Sequence, residues 1–210
     1  MGAGSSGTDS DCHSFGIVPL NRTSAPSDNL ATRVVPRCEP LMPPRLRGKW
    51  ALGITPRNFT WIMKDKLAIC ERPGGYGDNH RRVRRQEEII WLRENGFGCL
   101  ISIIPAPHNL HNYDELSLPY RHRPFTGLDD LGMWLKAFYT EIHALLENNQ
   151  KIIVHNENVD DKLVGIMGGY IRWSGLVEDP SQAITVIERI AGRQLDPFGR
   201  EVILMADGLR

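Results

Sequence analysis

The chain has no excess of charge: its 210 residues carry 25 Lys and Arg against 25 Asp and Glu. Nothing global therefore draws it to a polyanion, and nucleic acid is not an expected partner. It has no uninterrupted apolar run near the ~20 residues that cross a bilayer. The N-terminus lacks the basic-then-apolar pattern of a secretion signal, so no membrane is expected either. Cysteine is scarce, and Cys12, Cys38, Cys70 and Cys99 are scattered without any C-x-x-C spacing. That argues against a structural zinc site and a disulfide scaffold, and makes a reducing cytoplasm the expected compartment.

Large apolar groups are missing from the first part of the chain. Residues 1–49 hold six of the fourteen prolines but, with Phe15 alone, one of the sixteen aromatics. Such a segment cannot offset its ordering entropy, so 1–49 is expected to be a mobile Pro/Ser/Gly-rich tail. From Trp50 the aromatics arrive steadily, and residues 50–210 are long enough for one domain with a proper core.

Within 50–210, strand-like and helix-period patterns alternate. Asn58 to Ala68 reads as two short strands around a Lys64-Asp65 turn. After a Gly-rich loop, Arg81 to Asn95 reads as a helix stopped by Gly96. Cys99 to Ile104 (CLISII) is a continuous apolar run, the mark of a strand buried on both faces. Leu116 to His122 is a further strand candidate. Asp129 or Asp130 caps a helix running to about Asn148, whose Met133, Trp134, Phe138, Ile142 and Leu145 form a stripe. KIIVH (Lys151 to His155) is a second buried strand, followed by a loop and helices at about Asp161 to Ser174, Pro180 to Ala191 and Pro197 to Ala206. Trp91, Trp134, Trp173 and Tyr170 are expected in the core. The pattern predicts an α/β fold in three layers, with a central, mostly parallel sheet flanked by helices.

In such sheets the ligand sits at the carboxyl ends of the strands, where a loop enters a helix whose free N–H groups attract anions. Here that place is His155-Asn156-Glu157-Asn158-Val159-Asp160-Asp161-Lys162. At this point, over roughly residues 54 to 205, the chain resembles the cysteine-dependent dual-specificity and protein tyrosine phosphatases. The resemblance rests on the order of several features. They are Pro56, Asn58, Phe59, Thr60 and Trp61 with K-L-A after them, the E-x-I-x-W-L helix, the L-I-S-I strand, and the apolar strand ending in His155.

The resemblance implies a catalytic loop of the form H-C-x-x-G-x-x-R, in which a thiolate attacks phosphorus and the arginine clamps the oxygens. His155 matches the histidine. Asn156 stands for the nucleophile, Val159 for the glycine and Lys162 for the arginine. An amide is no nucleophile, a β-branched valine suffers if its position needs φ > 0, and lysine lacks the planar fork. No other cysteine substitutes, since Val18, Pro44, Tyr76 and Pro105 stand six places after the four. Cys99 and Cys70 are expected in the core. Where the family's general acid would follow a proline stands Phe125, with Thr126 next; Asp129 and Asp130 come slightly later.

Charge acts in the same direction. The loop carries Glu157, Asp160 and Asp161 against Lys162 alone, and a phosphate dianion ~5 Å from one carboxylate is repelled by several kcal/mol at an effective dielectric of ~20. Asp160 or Asp161 is also placed to cap the following helix and fill the anion position with the protein's own carboxylate. A loop drifting after loss of function would show the same absences.

Two further clusters stand out. Arg81, Arg82, Arg84 and Arg85 open a helix, where cations are disfavoured by its dipole. They are the candidate binding residues for a phosphorylated or acidic partner, against the alternative of a solvated face answered by Glu87 and Glu88. His108 and His111 with Asp114 and Glu115 lack a second regular ligand pair, so they read as surface residues. No metal and no cofactor is expected. The resulting expectation is an inactive, dual-specificity-phosphatase-like domain, a pseudophosphatase binding or regulating a phosphorylated or charged protein. The alternative is a weak phosphoesterase using water activated by Asp160 or Glu157, with or without a metal.

Overall fold

Strand β5 (Lys151–Asn156) lies at the centre of a five-stranded sheet of order β1-β2-β5-β3-β4. The computed structural model describes residues 52–75, 77, 80–107, 110–127 and 130–210. The expected tail at 1–49, Cys12, Cys38, His108 and Asp129 lie outside the described residues. The elements are β1 (Thr60–Met63), β2 (Leu67–Glu71), α1 (Arg82–Glu94), β3 (Phe97–Ser102), α2 (His111–Glu115), β4 (Tyr120–His122), α3 (Leu131–Glu147), β5, α4 (Asp161–Trp173), α5 (Pro180–Ala191) and α6 (Pro197–Met205). A 3-10 turn, Ala206–Leu209, follows α6. Among these residues no helix is long and apolar enough to cross a membrane.

The sheet is mixed. β2, β5, β3 and β4 run parallel, and β1 pairs antiparallel with β2 through a turn in which Asp65 takes φ 59°. Parallel strands buried on both faces need near-continuous apolar sequence. In β2 the alternation divides the core: Leu67 and Ile69 face α3 to α6, whereas Ala68 and Cys70 face α1 and α2. Cys70 and Cys99 are fully buried, and neither is in a disulfide among the described residues.

Helix starts follow a shared rule. Asp130, Asp160, Asp179 and Asp196 each accept a hydrogen bond from the backbone N–H three residues on, at 3.1, 2.9, 2.7 and 2.7 Å. Each satisfies a donor that the helix itself leaves unpaired. Two expectations are corrected. The strand expected from Leu116 is confined to Tyr120–His122, because a one-turn helix, α2, precedes it and Ser117 turns the chain at φ 54°. Tyr170 is buried as expected, whereas Trp91, Trp134 and Trp173 are only partly buried and pack against the cores from outside.

Glycine decides how closely α4 and α6 approach. A Cβ on Gly165 would run into the Cα of Gly199, and one on Gly169 into the Tyr139 hydroxyl. The helices therefore cross backbone to backbone, and the Tyr139 hydroxyl is left room to donate to the Ile166 carbonyl at 2.9 Å.

Candidate functional site

The central strand delivers its last residues to the carboxyl edge of the sheet. His155 pairs in register with Cys70 and Ser102, and Asn156 with Glu71. The chain then leaves the sheet and enters α4 at Asp161, so residues 155–162 occupy the place where an α/β sheet presents an anion to a helix N-terminus.

That place holds the protein's own carboxylate. Asp160, with extended backbone (φ −86°, ψ 174°), accepts the Leu163 N–H with Oδ1 at 2.9 Å and the Asn156 side-chain amide with Oδ2 at 3.2 Å. Asn156, which stands for the nucleophile by resemblance, is thus the donor that locks the cap in place. Of the two aspartates expected to cap, Asp160 does so. Asp161 turns outward, its Oδ1 receiving Arg193 Nε at 2.7 Å.

Two arginines grip the loop from opposite sides. Arg193, between α5 and α6, also donates from Nη2 to the Val159 carbonyl at 2.8 Å. Arg72, just after β2, donates from Nη1 to Glu157 Oε1 at 2.9 Å and from Nε to the Gly75 carbonyl at 3.2 Å. The other Glu157 oxygen is buried without a partner. Val159 is not among the residues with positive φ. It lies half-buried against the helical core and lines a cavity of about 160 Å³ with Ile62, Ile69, Val164 and Ile190. The strain that valine would suffer in a left-handed position is avoided by the path of the loop. Asn158 is exposed.

His155, 1% exposed, meets the Tyr113 hydroxyl with Nε2 at 3.1 Å. Its Nδ1 faces the Asn156 backbone without a hydrogen bond of good geometry. Burial holds its pKa down at about 3, outweighing that backbone contact, with Arg72 and His122 adding to the depression. The imidazole is therefore neutral at physiological pH. Cys70 lies beside it in the sheet, but burial first, then Glu88 and Glu71, push its thiol up. A buried thiol held protonated is no nucleophile.

Lys162, which stands for the arginine, points away from the loop. Its Nζ sits 5.3 Å from the centroid of the Phe125 ring, and the two line a cavity of about 290 Å³ with Gly127, Leu131 and Phe198. Phe125, 5% exposed, packs on Trp134 with ring centroids 4.8 Å apart. Asp130, the described member of the aspartate pair beyond it, is committed to capping α3.

The four arginines at the start of α1 are not brought to one face. Arg81 and Arg82 are exposed, Arg84 pairs with Glu88 at 2.7 Å, and Arg85 is only 7% exposed. Arg85 falls on the buried stripe of α1 with Glu88, Ile89 and Leu92, the helical spacing that turns toward a core. Its Nη1 meets His80 Nε2 at 2.8 Å, and burial lowers its pKa. His111 bonds to Asn112, and Asp114 accepts the Tyr120 hydroxyl at 3.2 Å. Among the described residues no three His, Cys, Asp or Glu side chains converge as a metal-binding group.

Sequence reading missed Arg72, Arg193 and Tyr113. They lie 85, 32 and 42 residues from their partners Glu157, Asp161 and His155, and no local pattern marks such pairs.

No family profile and no curated protein matches this chain. Solved structures do match it, several phosphatases among them. The kinase associated phosphatase, with its catalytic-site cysteine substituted by serine, superposes with a TM-score of 0.61 at 17% identity, over 74% of this chain and 97% of its own. Tk-PTP in its active form gives 0.57 at 12%, over 71% and 96%. The core catalytic domain of an S. cerevisiae PP-IP phosphatase, in complex with citrate, gives 0.55 at 16%, over 74% and 88%. The fold is that of the dual-specificity and protein tyrosine phosphatases.

Proposed function

We propose that this chain is a pseudophosphatase: a domain with the phosphatase fold that acts by binding a phosphorylated or charged protein partner and performs no phosphoryl transfer of its own. The observation that carries the reading is Asp160. Its carboxylate occupies the N-terminus of α4, where a phosphate would be held, with one oxygen on the helix and the other on Asn156. A dianion entering there would have to displace an internal anion already hydrogen-bonded on both oxygens, against direct charge repulsion.

The remaining groups support it. No thiol stands in the loop, Lys162 is directed at Phe125, and His155 is buried and neutral. The two carboxylates that could activate a water are engaged, Asp160 in the cap and Glu157 with Arg72. The cytoplasm and the tail at 1–49 remain parts of the same proposal.

The test is an assay of the full chain with a generic aryl phosphate, with and without divalent metals. The expected result is turnover at the level of a blank. Turnover that survives repurification and is abolished by both Glu157→Gln and Asp160→Asn would overturn the reading.

A further inference from the structure

Lys162 is a half-buried cation in the first turn of α4, where the helix dipole disfavours positive charge. Among the described residues no carboxylate pairs with it and no hydrogen bond reaches it; its recorded contact is the face of Phe125. Cation–aromatic attraction orients the ammonium without neutralising it. The lysine stands at a cavity of about 290 Å³ that Phe125, Gly127, Leu131 and Phe198 line with it among the described residues. That size is at the lower limit for small-molecule sites and fits a single large side chain. Buried aromatic or aliphatic anchors of this kind carry most of the energy of protein recognition.

We infer that this cavity, between the start of α3, Phe198 of α6 and Lys162, receives an acidic protein segment that inserts one large apolar side chain and sets a neighbouring Asp or Glu carboxylate on the Lys162 ammonium. The inference rests on the binding reading above and names the partner class: a peptide whose charge complements Lys162, the cation that lines the cavity among the described residues. A carboxylate there answers Lys162 in a partly desolvated position, where a charge pair contributes more than on open surface. Acidity near the anchor thereby becomes the specificity rule. Of the loop, Lys162 alone holds the segment: Glu157 Oε1, the Val159 carbonyl and the Asn156 amide are already engaged by Arg72, Arg193 and Asp160.

The test is selection of random phage-displayed peptides on the full-length protein, with affinities of the selected peptides measured by fluorescence anisotropy. The expected binders carry Phe, Trp or Leu within two residues of Asp or Glu. Lys162→Glu weakens them by about tenfold or more, equivalent to about 1.4 kcal/mol, and peptides with Lys in place of the acid regain affinity for that variant. Leu131→Asp, at a half-buried position in the first turn of α3, weakens both sets. Binders without an acid, or binding indifferent to Lys162→Glu and Leu131→Asp, would overturn the inference. So would a preference for the phosphotyrosine form of the same peptides, which assigns the site to phosphate. Self-association abolished by Lys162→Glu would assign it to a second copy and overturn it too. The two proposals fail separately: turnover with intact peptide capture removes only the non-catalytic reading, and a silent protein that captures no acidic peptide removes only the docking site.

Discussion

The Tyr113 hydroxyl and His155 Nε2 stand 3.1 Å apart, joining α2 to the last turn of the central strand inside the core. Because burial holds His155 near pKa 3, well below its ordinary 6.5, the folded state keeps it neutral where the unfolded chain takes up a proton. The unfolded state then binds more protons between the two values, so stability is full above about pH 6.5 and falls as pH drops toward 3. The slope is about 1.4 kcal/mol per pH unit, for a total on the order of 5 kcal/mol. Urea unfolding at pH 7 and pH 4.5 checks this. The double variant His155→Leu, Tyr113→Phe removes both polar partners together, and its stability should depend on acid less steeply than that of the parent.

Asp160 invites a second prediction. Asp160→Ala loses the acceptor for the Leu163 N–H and leaves the Asn156 amide unpaired, which should cost about 1 kcal/mol, the usual value of an N-cap. Asp160→Ser keeps an acceptor and should recover most of it. The same truncation exposes the α4 N-terminus to an external anion. Millimolar phosphate should then raise the melting temperature of Asp160→Ala and leave the parent unchanged. Equal shifts in both proteins would mean that the carboxylate does not exclude anions.

The sequence made the sheet and most helix limits readable, for definite reasons. Leu67 to Cys70, Leu100 and Ile101, and Ile152 to Val154 are apolar on both sides because the strands are covered on both faces, and Asp130 and Asp160 mark helix starts by local chemistry alone. α2 was not readable, because five residues cannot show a 3.6-residue stripe. The arginines at 81–85 do not share one face, because adjacent residues on a helix point about 100° apart. Arg84, half-buried and paired with Glu88, is therefore turned away from its neighbour Arg85, which is buried. In the site, the internal cap was foreseeable from Asp160 three residues before Leu163. The turn of Lys162 toward Phe125 was not, since it depends on the packing of α3 and α6 around that ring.

Gly165 supplies a third prediction. A methyl group there meets the Cα and carbonyl of Gly199, backbone atoms that cannot rotate away. Although alanine is the better helix former by about 1 kcal/mol, Gly165→Ala should destabilise the protein, by roughly 1–3 kcal/mol, as overpacking does. Gly208, with nothing near its would-be Cβ, is the control, and Gly208→Ala should change stability by less than about 0.5 kcal/mol. Chemical denaturation of the two variants decides the matter.

Arg193 yields a prediction about motion more than stability. Its side chain is 44% exposed, so its ion pair with Asp161 is screened and contributes less than about 1 kcal/mol. Yet its two bonds, to Asp161 and to the Val159 carbonyl, fasten the second half of the loop to the turn between α5 and α6, while Arg72 fastens the first half at Glu157. Local opening is governed by such contacts even where global stability is not. Arg193→Ala should therefore leave the melting temperature nearly unchanged but accelerate amide hydrogen exchange across residues 158–162. Arg72→Ala should do so around Glu157, with a larger stability loss because it strands Glu157 Oε1 on a carboxylate whose other oxygen is already buried without a partner. Exchange measured by mass spectrometry on both variants separates the two halves. Unchanged exchange in Arg193→Ala would show that the Asp160 cap alone holds the loop shut.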